Sequence, residues 1–164
     1  MAATAKKPKA TTEDAPISLR TEASLVFPLL LAVNLITKPF FARHAKEHSL
    51  KLNEWRVMFL LAERPGLTAS EICDLAGMLL MNVSRAVRRL ERMGRVERTV
   101  DPHDQRRYLL RLTEDGREVF RRLAPSALQR EAQLRDSLTE GEAETLIRLL
   151  DKVVAGMRAA PNGD

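Results

Sequence analysis

A mainly α-helical chain with one small β-hairpin is the fold class this sequence predicts, and three observations carry it. Only 4% of its 164 residues are aromatic while 45% are hydrophobic, a balance that favours a Leu/Ala/Val helical core over a β-sandwich. Helical periodicity runs along most of the chain and yields to alternation only within residues 95–112. That alternating stretch directly follows a helical run bearing Arg85, Arg88, Arg89 and Arg92. A cationic helix followed by a cationic hairpin is the outline of a winged helix-turn-helix domain, here set between long N- and C-terminal dimerisation helices.

The elements follow in order. Residues 1–16 contain lysines but no apolar segment, so residues 1–17 read as a disordered tail and not as a secretory signal. Ser18 opens a helix expected to reach about His48, apolar nearly all round at Leu25, Val26, Leu29, Leu30, Leu31, Val33, Leu35, Ile36, Phe40 and Phe41. Such a helix must be enclosed, and a second copy of the chain is the economical cover, which makes residues 18–50 a dimerisation helix. Its most apolar stretch, residues 25–36, is far shorter than the roughly 20 residues of a membrane span and contains Pro28 and Asn34. Pro39 is expected to bend it.

Residues 51–112 read as the DNA-binding lobe. Asn53 caps a helix to about Ala62 with Trp55, Met58, Phe59 and Ala62 facing the core. Thr68 and Glu71 form a capping box for a short helix burying Ile72, Leu75 and Ala76, and Gly77 turns the chain. A helix from about Leu80 to Met93 carries the stripe Val83, Val87, Leu90, with Gly94 as its C-terminal stop. Its opposite face presents Asn82, Ser84, Arg85 and Arg88, with Arg89 at the flank; Asn and Arg are the side chains that make forked contacts to base edges in the major groove. Strands over residues 95–100 and 106–112 pair around Asp101-Pro-His-Asp-Gln105, where the Asp104 carboxylate is expected to hold the Arg106 guanidinium extended beside Arg107 for a narrow minor groove. Residues 113–160 supply the C-terminal dimerisation helices. Thr113 caps the first, with Val119, Phe120 and Leu123 inward and a bend at Pro125; Thr139 and Glu142 box the second, with Leu146, Leu149, Leu150, Val153 and Val154 as its apolar face.

Charge locates the partner. Residues 82–111 hold nine arginines against four acids, an excess of five that equals the +5 of the whole chain. A sequence pI near 9.8 points to a polyanion. Concentration of the excess in the helix and hairpin points to double-stranded DNA, since phosphate contacts need clustered cations. All nine are Arg, whose planar fork suits phosphates and base edges. Cys73 is the only cysteine, which excludes an intramolecular disulfide and fits a reducing cytoplasm. With no Gly-rich phosphate loop, no nucleophile beside a base and three histidines, the chain reads as no enzyme and calls for no cofactor.

Four motifs in residues 53–116 resemble the MarR (multiple-antibiotic-resistance regulator) family of bacterial winged-helix transcription factors: Glu54-Trp55-Arg56-Val57; Val83-Ser84-Arg85 with Arg89-Leu90-Glu91; Gly94-Arg-Val96-Glu-Arg98; and Asp104-Gln-Arg106 followed by Leu112-Thr113-Glu-Asp-Gly116. Arg95 departs from the family, standing where an apolar residue is commoner, and Leu79-Leu80-Met81 makes the start of the recognition helix unusually apolar. The resemblance implies a homodimer that binds an inverted repeat and is released by a small effector, most simply as a repressor. The family's cleft between dimer helices and DNA-binding lobe would draw on Lys38, His44, Trp55 and Arg56, which suit a small aromatic acid or phenol. A constitutive architectural DNA binder and a metal- or redox-sensing regulator are the alternatives. His44 and His48 share a helix face at metal-ligand spacing, but a site needs three or four donors and no other Cys or His is near in sequence, so no metal is assigned. Cys73 reads as a buried, inert thiol.

Overall fold

The computed structural model describes residues 24–160, the side chains at 41, 43, 45 and 46 excepted. The expected tail and the helical turns over residues 18–23 lie outside them. Eight elements follow in chain order: α1 Val26–His48, α2 Leu52–Glu63, α3 Ala69–Ala76, α4 Leu80–Arg92, β1 Val96–Val100, β2 Tyr108–Leu112, α5 Glu114–Arg135 and α6 Glu140–Ala159. This is the mainly helical, winged-helix order expected. By packing, the described residues divide into two units, with the cut between Leu35 and Ile36.

In the first unit the helix starts later than the sequence reading had it. Ser24 and Leu25 precede α1, and Pro28 falls in its first turn, where a missing N–H forfeits no helical bond. All residues from 25 to 35 are exposed. No described helix is long and apolar enough to cross a membrane.

In the second unit α2 packs on α3, α4, α5 and β2, and α4 on α3 and β1. Val57, Met58, Ile72, Val83 and Leu90 are fully buried, each contributing roughly 1.5–3 kcal/mol of transfer free energy. Two expectations shift here. Asn53 is not the cap of α2: the Glu54 carboxylate reaches back to the Lys51 N–H and starts the helix one residue before Asn53. Its buried stripe is Glu54, Val57, Met58 and Leu61, which leaves Phe59 on the flank, 46% exposed. Likewise α3 meets the core through Ala69, Ile72 and Cys73, so Leu75, about 110° round from that stripe by helical geometry, stays exposed.

Thr113 caps α5 by accepting from the Gly116 N–H at 3.0 Å, and its hydroxyl donates to the Gly94 carbonyl at 2.6 Å. Gly116 is required there by proximity: a Cβ would stand 2.0 Å from the Arg95 carbonyl oxygen. The Leu-Thr-Glu-Asp-Gly motif is therefore the joint that seats α5 on the start of the hairpin. α5 continues through Pro125, and α6 opens with the Thr139–Glu142 capping box. Among the residues of α6 only Ala143 is buried.

Candidate nucleic-acid interface

Local signals build the helix-turn-helix. The Thr68 hydroxyl accepts from the Glu71 N–H at 3.2 Å while the Glu71 carboxylate takes the Thr68 N–H at 2.7 Å. Gly77 ends α3 at φ +61°, a left-handed conformation that favours glycine. Val83, Val87 and Leu90 of α4 are buried as their spacing requires. α4 closes with a Schellman turn: Gly94 at φ +68°, its N–H on the Glu91 carbonyl, and the Arg95 N–H on that of Leu90, both at 2.9 Å. The face away from the core shows Met81, Arg85, Arg88 and Arg92 exposed. Leu79, Leu80 and Met81, at its start, are 69%, 59% and 63% exposed.

The hairpin pairs Val96 with Leu112, Arg98 with Leu110 and Val100 with Tyr108. A further bridge joins Leu67 to Leu110 and ties the wing to the segment before α3. At the tip the Asp101 carboxylate accepts from the His103 N–H at 2.9 Å, and the Asp104 carboxylate from the Arg106 backbone N–H at 3.0 Å. This corrects the expected side-chain pair. A short Asp side chain two residues before an N–H closes an Asx turn on the main chain, so Asp104 shapes the loop and leaves the Arg106 guanidinium to project.

The arginines fall into two sets. Arg89 donates to the Ser49 carbonyl at 2.8 Å and stands 3.5 Å from the buried Glu54 carboxylate. Arg95, the departure from the family pattern, donates to the His48 carbonyl at 2.7 Å. Arg107 pairs with Glu71 at 3.0 Å, which holds the wing to α3; Arg98 pairs with Glu91 at 3.2 Å and lies over the Tyr108 ring, 5.1 Å from its centroid. Thr68 and Arg107 together hold the Glu71 carboxyl below its ordinary range. By contrast, the guanidinium groups of Arg85, Arg88 and Arg106 make no ion pair among the described residues. Ser84 and Arg88 share a cavity of about 400 Å³ with Arg98, Arg106 and Arg107 between α4 and the wing. Asn82 and Arg85 line another of about 370 Å³ on the opposite flank with Lys51, Asn53, Arg89 and Arg92. Arg89 and Arg107, expected in the DNA-facing set, take Glu54 and Glu71 as partners that the sequence does not show; Arg107 remains exposed.

The four residues assigned to an effector do not converge. Trp55 and Arg56 line an open cleft of about 400 Å³ with Phe59, Leu60 and Ala76. His44 lines a separate cavity of about 250 Å³ with Phe40, Gln129 and Arg130. Lys38 is exposed and lines neither. Trp55 stands between them, tilted 5.0 Å from the Phe40 ring and stacked 5.3 Å from that of Phe120. Cys73 is half-buried, and that burial pushes its thiol pKa up, which lowers the thiolate fraction.

A model of the MarR family matches residues 48–107. The uncharacterized HTH-type transcriptional regulator YkoM of Bacillus subtilis is 32% identical over 110 residues, covering 67% of this chain and 71% of that protein. The homoprotocatechuate degradative operon repressor of Escherichia coli is 26% identical over 126 residues, 77% of this chain and 85% of its own. Among solved structures, the transcriptional repressor CouR bound to a 23-mer DNA duplex matches with a TM-score of 0.68 at 28% identity, over 79% of this chain and 91% of that one. With the winged helix, its arginine-rich face and these relatives in agreement, the chain belongs to the MarR family of transcriptional regulators.

Proposed function

We propose that the protein is a homodimeric, cytoplasmic repressor that binds an inverted-repeat operator and is released by a small aromatic acid or phenol. The observation that carries the DNA assignment is the contrast between arginines: Arg85, Arg88 and Arg106 make no ion pair among the described residues and lie on the exposed face of α4 and at the wing tip. In this reading α4 enters the major groove with Asn82, Ser84, Arg85 and Arg88 toward base edges and phosphates, and Arg106 reaches the flanking minor groove. Arg89 and Arg107 hold those elements through Glu54 and Glu71, and Asp104 shapes the wing loop through the Arg106 N–H. The lobe is residues 51–112; α1 and the helices of residues 113–160 carry the two-fold interface, a reading supported by the exposed Leu146, Ile147, Leu149, Leu150, Val153 and Val154 of α6. Two lobes then meet half-sites about one helical turn apart.

For the effector, the cleft of Trp55, Arg56 and Phe59 supports the reading best, since it offers aromatic walls and a guanidinium to a planar anion. The name of the E. coli relative, a repressor of an operon that degrades an aromatic acid, favours the same class. Thermal-shift screening with benzoates, phenylacetates and phenols tests it, because a ligand of the folded state raises Tm in proportion to the logarithm of its concentration over Kd. A hit is expected to weaken duplex binding and to lose its effect in Arg56→Ala; stabilisation that leaves DNA affinity unchanged refutes release as the mechanism.

A further inference from the structure

The last turn of α1 carries a cluster that neither DNA nor the Trp55 cleft uses. His44, Glu47 and His48 stand at i, i+3 and i+4, so their side chains leave the helix on one face. One donor atom from each lies within 4.8 Å of the other two. Glu47, a third donor, is what the spacing of the two histidines alone did not supply. His44 is only 8% exposed, and among the described residues neither of its ring nitrogens has a hydrogen-bond partner although both are buried. Its ring packs 5.0 Å from that of Phe40, a contact that serves the carbon face and leaves the nitrogens unmatched. A neutral imidazole has one donor and one acceptor nitrogen to satisfy, and a metal ion satisfies the acceptor with the strongest partner available to it.

We propose that His44, Glu47 and His48 bind a divalent metal ion of the zinc class, with water completing the tetrahedron. Two imidazoles and a carboxylate are donors that suit zinc, cobalt and nickel over calcium or magnesium. Donor atoms around tetrahedral zinc are about 3.3 Å apart, the edge set by bonds of about 2.0–2.1 Å. Closure onto the ion therefore falls to Glu47, which is exposed, and His48, while His44 is already fixed by its packing. Two nearby described guanidinium groups are engaged elsewhere: Arg95 bonds to the carbonyl of His48 and Arg89 to that of Ser49. Those two bonds join the end of α1 to the start of β1 and to α4. On the reading of α4 as the DNA-facing helix, an ion that fixes this turn adjusts the seating of that helix.

Titration of the full chain with Co²⁺, followed by its visible absorption, tests the site without DNA and so independently of the proposed function. The expected result is one Co²⁺ per chain, displaced by Zn²⁺, with affinity reduced at least about tenfold in Glu47→Gln and His48→Gln, the loss that even an outer-shell partner costs. His103→Gln, on the wing loop, serves as the control and leaves binding unchanged. Both test positions retain some solvent exposure, and unchanged circular dichroism certifies the variants as folded. Absence of stoichiometric Co²⁺ binding by the native chain, native affinity in both variants, or loss of binding in His103→Gln overturns the proposal.

Discussion

The winged lobe and helix α6 treat the same kinds of side chain in opposite ways. In the lobe, Met58, Ile72, Val83 and Leu90 are fully buried by neighbours of the same chain; in α6, Leu149, Val153 and Val154 are 44–46% exposed. The residues of α1 from 26 to 35 are exposed as well. Yet α6 is well started, by a capping box of the same kind that starts α3. Local signals suffice to make a helix here but not to bury it: the lobe closes on itself, whereas α6 leaves its apolar face exposed. The same division separates charges, since the lobe pairs Arg89, Arg95 and Arg107 with its own acceptors and leaves Arg85, Arg88 and Arg106 without an ion pair among the described residues.

Variants on each side of this comparison are expected to fail differently. Leu90→Ala, in the lobe core, should lower the unfolding free energy by about 2–5 kcal/mol, read from the denaturant midpoint. Leu149→Asp should change assembly instead: light scattering is expected to fall from the mass of two chains to that of one, while fluorescence of Trp55, the only tryptophan, stays native because its stack on Phe120 lies elsewhere. A dimer that survives Leu149→Asp breaks the contrast.

The arginine sets give a finer cut. Arg85→Ala should cost about 1–3 kcal/mol of discrimination between base pairs and leave stability untouched. Arg89→Ala should do the reverse, costing about 1–3 kcal/mol of stability because the buried Glu54 carboxylate loses a charged partner. Equal effects of the two on sequence preference would erase the distinction.

Much of the fold was legible because its signals are local. Thr68 with Glu71, Thr139 with Glu142, Gly77 and Gly94 announce helix ends within a few residues, and the Val83, Val87, Leu90 stripe fixes the outward face of α4. What escaped is non-local. Whether Arg89 points outward depends on Glu54, thirty-five positions away; Arg95 finds its acceptor at His48; and the separation of His44 from Arg56 follows from where Trp55 stacks between α1 and α5. The phase of a short helix is also weakly encoded, which is how Leu75 came to be expected in the contact that Cys73 makes.

The smallest expected effect is that of acid. Glu71 is held below its ordinary pKa by Thr68 and then Arg107, and Glu142 by Thr139. A lowered folded pKa means stability that is complete above the unfolded value, about 4.3, and lost as pH falls through the folded one. A shallow decline of Tm beginning near that value is expected, flattened in the Glu71→Gln, Glu142→Gln double variant; a decline that is unchanged in the double variant assigns it to other carboxylates.

A lobe that reads sequence and is carried in two-fold pairs leaves a double signature on the DNA it selects. Selection of bound duplexes from a random pool measures both at once. Enrichment of an inverted repeat with half-site centres about one helical turn apart is expected. Recovery of duplexes without a shared sequence, or of a single unrepeated half-site, would contradict it.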